Sequence, residues 1–258
     1  MITINDTVEL DITVDNIKSA IRKSLAQDFH RRDNLRRRNS NIQFDCLLRG
    51  YIGETGITKW FESYGITFES TNYMADDQGN IDIDLLYRYG TNKEKSLEIK
   101  TSLVPDYCAR NKPDIKDRIT ACINNFDVKL IRRNEESIEN LQSDIHIQIY
   151  YGDLRKAKDD FLTTLEFPIT QEELLNNDNV ADNIINKIYH IFKAETYLTR
   201  TYFVGWIDKA TLIEQINTKS EAQKIWRVPG LYRDFWTCKI RNEAKTPIEL
   251  IKYIKELQ

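Results

Sequence analysis

Residues 81–102 read IDIDLLYRYGTNKEKSLEIKTS, and two runs within them alternate like β-strands. In the first run Ile81, Ile83, Leu85, Tyr87 and Tyr89 point one way, and Asp82, Asp84, Leu86 and Arg88 point the other. Gly90-Thr91-Asn92-Lys93 is turn chemistry. In the second run Leu97 and Ile99 share one face, and Glu98 and Lys100 share the opposite face. A hairpin with its apolar faces aligned gathers Asp82, Asp84, Glu98 and Lys100 on one surface. Carboxylates at that density repel one another unless a cation sits among them. Hard oxygen donors suit Mg²⁺, with Mn²⁺ as a substitute. This expectation fails if Glu98 and Lys100 lie on an outer, water-facing surface remote from the aspartates.

Before the hairpin, residues 44–64 have helical spacing, with Leu47, Gly50, Glu54, Ile57 and Phe61 on one face. A carboxylate in an apolar stripe needs compensation, for which an ion pair with Lys or Arg is the structural candidate. Gly50 and Gly53 carry no side chain, so this helix can approach another element closely. An earlier helix is predicted over 15–36, with Asp15 as N-cap and Ile17, Ile21, Leu25 and Phe29 as its stripe. It runs into HRRDNLRRR, which carries Arg31, Arg32, Arg36, Arg37 and Arg38. Positive charge that dense calls for an anionic partner such as DNA phosphate, or for free solvation at a helix end.

Residues 66–73 alternate as a strand, and the loop 74–80 adds Asp76 and Asp77. After Lys100 a helix is expected from Pro113, with Ile115, Ile119, Cys122, Ile123, Phe126 and Leu130 on its apolar face. Strand 145–151, IHIQIYY, then returns to the same sheet by a crossover, with His146 and Gln148 on its polar face. A lone strand histidine is usually satisfied structurally. Residues 153–198 read as a helical excursion with a capping box at Thr170 and Glu173. A core strand follows at 202–207, and Asp208 caps the helix after it. The segment 224–236, KIWRVPGLYRDFW, interleaves aromatics with Arg227 and Arg233. That mix suits a nucleic-acid surface, or a late hairpin that buries its rings. Thr246-Pro247-Ile248-Glu249 opens a last amphipathic helix.

The 258 residues, 41% hydrophobic, suffice for one substantial core. The net charge of −3 neither advertises nor excludes nucleic-acid binding. Cys46, Cys108, Cys122 and Cys238 show no zinc-type spacing with the histidines and read as reduced thiols of a cytoplasmic protein. The N-terminal residues lack signal-peptide character, and no apolar run reaches membrane-span length. EF-hand, P-loop and dinucleotide fingerprints are absent.

The order Asp84, turn, Glu98-x-Lys100, Thr101, Ser102 resembles the PD-(D/E)XK nuclease superfamily, which includes many restriction endonucleases. The segment Gly50-Tyr51-Ile52-Gly53-Glu54 looks like the helix that carries that superfamily's upstream glutamate. No proline precedes either aspartate, which leaves Asp82 and Asp84 open; the run Leu85-Leu86-Tyr87 favours Asp84. The resemblance implies an α/β, restriction-endonuclease-like core at 44–151: a central mixed β-sheet flanked by helices, in the order helix, strand, hairpin, helix, strand. A helical arm (1–43), a helical insertion (153–198) and a C-terminal completion (200–258) surround it in one domain. It further implies a type II restriction enzyme cutting double-stranded DNA as a homodimer with Mg²⁺. Asp84 and Glu98, with the Ile99 carbonyl, would bind the metal; Glu54 and Asp82 would complete a second site or fix a water. Lys100 would orient the attacking water. Ser102, Arg227, Arg233 and the 31–38 arginines would meet DNA. A repair or non-specific defence nuclease, and a non-catalytic DNA-binding protein, share the same core.

Overall fold

In a computed structural model of the chain, residues 1–28, 40–71, 83–132, 137–152, 178–191, 198–227 and 234–257 are described. Their strands are β1 (Val8–Leu10), β2 (Glu69–Ser70), β3 (Leu85–Arg88), β4 (Glu94–Leu103), β5 (Leu130–Arg132), β6 (Ile145–Tyr151), β7 (Thr201–Asp208), β8 (Ile225–Arg227) and β9 (Asp234–Trp236). The longer helices are α1 (Val14–Asp28), α2 (Ser40–Glu62), α3 (Ile115–Asn125), α4 (Asp178–Ile191), α5 (Lys209–Thr218) and α6 (Pro247–Lys255). Six strands form a mixed sheet in the order β1-β7-β6-β4-β3-β2. β4 and β6 run parallel, and every other neighbouring pair in this sheet is antiparallel. The crossover between β4 and β6 carries α3, as parallel strands require a long connection. A second sheet, β5-β9-β8, is antiparallel throughout.

Alternation along the strands feeds two cores. Leu85, Leu97, Ile99, Ile145, Ile147 and Ile149 cluster with the inward faces of α1, α2 and α4. Tyr150, Tyr202, Val204 and Ile207 cluster with α3, α5 and the small sheet. With both faces of the sheet covered, β6 is buried at every residue, so its polar side chains must find partners inside the protein.

Several expectations shift by a residue or more. Thr13, not Asp15, caps α1: its Oγ1 accepts the Asn16 N–H at 3.3 Å, while its own N–H donates to Asn16 Oδ1 at 3.0 Å. The buried stripe of α2 is Phe44, Leu48, Ile52, Ile57 and Phe61; Leu47 is half-buried. Helix α3 stops at Asn125, and Leu130 belongs to β5. Within 66–71 the ladder is confined to Glu69 and Ser70, although Ile66 and Phe68 are buried as the alternation required. The late aromatic segment forms the β8–β9 hairpin and buries Phe235 and Trp236. The capping boxes or caps expected at Asp208 and Thr246 are present. None of the four cysteines is in a disulfide. No helix among the described residues is long and apolar enough to cross a membrane.

Candidate active site

The hairpin has the register that alternation predicts: Leu85 pairs with Leu97, and Arg88 with Glu94. Its turn uses two left-handed residues, Gly90 (φ 63°) and Asn92 (φ 60°), which favour glycine and asparagine. At the other end the ladder stops at Leu85, and Asp84 takes over. The Asp84 N–H donates to the Leu97 carbonyl at 2.8 Å, and the Ile99 N–H donates to Asp84 Oδ2 at 2.5 Å. Asp84 thus brackets Glu98, with its backbone on the residue before and its carboxylate on the residue after.

Glu98 is 3% exposed. Lys100 forms an ion pair with its Oε1, and His146 Nδ1 lies 2.8 Å from its Oε2. The histidine arrives there because β4 and β6 pair in parallel with Glu98 beside His146. Burial alone would raise the Glu98 carboxyl, but Lys100 and the His146 hydrogen bond outweigh it and hold the group below its ordinary value. Asp84 goes the other way. Burial pushes its carboxyl up to about 7; the Ile99 N–H and Lys100 pull against this, while Glu98 and Glu54 add to it.

Glu54 reaches the site from α2. Gly53 is the residue that permits this: a Cβ there would meet Thr101 Cγ2 of β4 at 2.6 Å. Gly50 faces open space and plays no such part, contrary to the sequence expectation. Glu54 is buried, and its Oε1 accepts the Ser70 hydroxyl at 2.7 Å. Tyr51, one turn earlier, has its phenol pushed up to about 12, by burial first and then by Glu54 and Asp84. Glu54, Asp84 and Glu98 therefore share one electrostatic neighbourhood.

Among the described residues, no group of three or more His, Cys, Asp or Glu side chains could hold a metal ion. The acids are not left waiting for an ion, as the sequence suggested. Ser70, the Ile99 N–H, and the pair Lys100 with His146 each compensate one of them. The donors still match a hard divalent cation in kind, and Asp84, raised by burial beside two other carboxylates, is the group such a cation would relieve.

The remaining site residues fare unevenly. Ser102 is buried and its Oγ accepts from Gln148 Nε2 at 3.1 Å, so it is a sheet-interior bridge and not a DNA contact. Arg227 is on the surface, paired with Asp234 at 3.2 Å. Asp82, Arg31, Arg32, Arg36, Arg37, Arg38 and Arg233 lie outside the described residues, as do Asp76, Asp77, Thr170 and Glu173. Sequence reasoning set His146 aside and gave Ser70 no role. Aligning 97–103 with 145–151 as parallel neighbours would have put His146 beside Glu98. His146 Nε2, buried, has no hydrogen-bond partner among the described residues. A buried polar nitrogen left without a partner costs about 1–3 kcal/mol. Comparison with protein-family models, with curated proteins and with solved structures finds no match.

Proposed function

We propose that this chain is a Mg²⁺-dependent endonuclease of the PD-(D/E)XK type that hydrolyses phosphodiester bonds in DNA, acting as a type II restriction enzyme. The observation that carries the reading is the constellation at the start of β3 and the middle of β4. Asp84 brackets Glu98, Lys100 pairs with Glu98, and Glu54 faces them from α2. The order α2, β2, β3–β4, α3, β6, with β4 parallel to β6, supports it.

Asp84 and Glu98 would hold Mg²⁺, with Glu54 and Asp82 as further ligands or as anchors for a water. The ion would supply polarisation of the scissile phosphate and a lowered pKa for the attacking water. The chain's own groups do the rest. Lys100, charged beside Glu98, orients the nucleophile and offsets charge that builds on the phosphate. Ser70 fixes Glu54 through its hydroxyl. Burial of Glu98 keeps its charge from being screened by bulk water. A restriction enzyme that cuts both strands of a palindrome works as a homodimer with matching two-fold symmetry, and the dimer is part of the proposal.

A second reading, a non-catalytic DNA-binding protein on the same scaffold, is favoured by one observation: each carboxylate already has a local partner, and no described group of three could hold a metal ion. Incubation of the chain with a mixed-sequence plasmid, with and without Mg²⁺ or Mn²⁺, separates the readings. Discrete bands are expected, from cutting at defined sites. A smear means a nuclease without sequence preference. An intact plasmid with either ion overturns the catalytic reading.

A further inference from the structure

Two of the four cysteines face each other across a connection of the second core. Cys108 lies on the one-turn helix Asp106–Ala109 that follows β4, and Cys122 lies on α3. Both belong to the core cluster that includes Tyr150 and Tyr202. The packing of the two elements brings these positions together. Tyr107, next to Cys108, sets its ring 5.8 Å from that of Phe126. Phe126 in turn stands one helical turn beyond Cys122, and its N–H donates to the Cys122 carbonyl at 3.0 Å. The two thiols hydrogen-bond to each other. Tyr107, 60% exposed, and Tyr150, buried, each feel both sulfurs, so the pair sits between the surface and the core.

We propose that Cys108 and Cys122 are a reversible oxidation site, a thiol pair that closes to a disulfide when the protein meets hydrogen peroxide. The inference stands apart from the nuclease reading. The two thiols are not equivalent. Burial pushes both up, but Cys122 and the Lys112 ammonium pull Cys108 back down, whereas Cys108 pushes Cys122 further up. Cys108 is therefore the first to ionise and the attacking sulfur, and Cys122 is the resolving thiol. Having lost its proton to water, the Cys108 sulfur attacks a peroxide oxygen. The O–O bond breaks, hydroxide leaves and is protonated to water, and Cys108 becomes a sulfenic acid. Cys122 then gives up its proton and attacks the Cys108 sulfur. The S–O bond breaks, a second water leaves, and the disulfide forms. Two thiols are oxidised and one peroxide is reduced to two waters. Burial makes the first step slow. The entry is the helix Asp106–Ala109, a single turn held by the Pro105 and Asp106 carbonyls, which opens more readily than the sheet beneath it.

The test starts from the reduced, folded full chain. It is incubated with hydrogen peroxide, blocked with iodoacetamide in denaturant, and mapped by peptide mass spectrometry without reductant. A chain lighter by two hydrogens is expected, with two of its four thiols protected from the block and a cross-linked peptide that joins Cys108 to Cys122. Dithiothreitol should return all four thiols. Cys122→Ser should halt the reaction one step earlier, with Cys108 as a sulfenic acid that dimedone traps. Cys108→Ser should leave Cys122 unoxidised. The wild-type map decides on its own if either variant fails to fold. Cys46 is the most exposed of the four, so oxidation governed by access alone would go there. Oxidation at Cys46 with Cys108 and Cys122 both still alkylated overturns the inference. So does a disulfide between any other pair, and so does a folded Cys108→Ser in which dimedone labels Cys122.

Discussion

Asp84 and Asp208 are the same residue placed on either side of the central β4–β6 pair, one before β3 and one at the end of β7, and they behave oppositely. Asp208 is surrounded by donors. Its Oδ1 caps α5 through the Thr211 N–H at 2.9 Å, and its Oδ2 accepts from Lys245 at 2.5 Å and from the Thr211 hydroxyl at 2.8 Å. Burial works against its charge, yet these donors hold its carboxyl below the ordinary value. Asp84 has one backbone N–H and a share of Lys100, and it faces two further carboxylates; burial wins there and the group rises to about 7. A carboxylate that serves the fold is satisfied in every direction. On the proposed function, Asp84 serves the reaction, and its raised carboxyl is the feature that sets it apart from Asp208.

The largest effect that tests this contrast is on turnover. Lys100→Ala should lower Mg²⁺-dependent DNA cleavage by at least about 10²–10³-fold, the scale for removal of a group that stabilises developing charge. On the proposed function DNA binding should largely survive, since the proposed DNA contacts are other residues. Asp208→Ala should leave turnover per folded molecule unchanged. Wild-type cleavage by Lys100→Ala would strip the site of its assigned chemistry.

The next effect is on stability as a function of pH. Asp84 titrates near 7 when folded and near its ordinary 3.8 when unfolded. A raised folded value means that the folded state holds its proton more tightly. The corresponding stability is fully present below about pH 4 and is lost as pH rises through about 7. In metal-free buffer the wild-type melting temperature should fall over that window, by the equivalent of up to a few kcal/mol. Asp84→Asn should not show this fall and should be the more stable protein at pH 8. Mg²⁺ should restore the wild type at high pH without effect on Asp84→Asn. Parallel melting curves for the two proteins across the window would mean that Asp84 is satisfied like Asp208, and the contrast would break.

The hairpin was legible because alternation with period two is decisive where one face is buried: Leu85, Tyr87, Leu97 and Ile99 all lie in the core as read. The Thr246 capping box and the Asp208 cap were legible because they are local hydrogen bonds. Of the small sheet, the β8–β9 hairpin was one of two readings of 224–236, but β5 was not legible, because a strand of three residues such as Leu130–Arg132 carries no period and Leu130 fits a helical stripe equally well. Within the site, Asp84, Glu98 and Lys100 could be placed from a two-strand pattern. Their partners could not. Ser70 and His146 come from β2 and β6, and their contacts depend on which strands become neighbours and in what register. Ser102 was misplaced for the same reason. It looked available on the Lys100 face, but β6 covers it with Gln148. Pairwise tertiary contacts decide the fate of a polar side chain, and spacing along one strand does not encode them.

A smaller effect sharpens the other half of the contrast. Asp208→Ala removes the α5 cap and leaves Lys245 without its carboxylate, although that lysine still stacks 5.1 Å from the Trp206 ring and keeps some exposure. Loss of a cap together with a partly exposed pair should cost about 2 kcal/mol. Denaturant unfolding measures it directly. Acid melting gives the sign: Asp208, with a lowered folded value, contributes stability above its ordinary 3.8 that disappears as pH falls through the folded value. A wild type that gains stability on acidification below that point would reverse the assignment.

A third aspartate, Asp234, extends the series to the surface and gives the smallest expected effect. It pairs with Arg227 at 3.2 Å across the β8–β9 hairpin, and the arginine side chain is 81% exposed. Water and salt screen a pair in that position, so Arg227→Ala should change stability by less than about 0.5 kcal/mol. Its use is diagnostic. If Arg227 meets a DNA phosphate, the variant should bind all DNA sequences more weakly, and the slope of log binding constant against log salt should become shallower by about one. The same pair seen in the free protein would then be a resting contact that phosphate replaces. An unchanged salt slope would instead make Arg227 and Asp234 a surface pair with no part in DNA binding. The aromatic hairpin would then be a fold element that buries Phe235 and Trp236 and does nothing further.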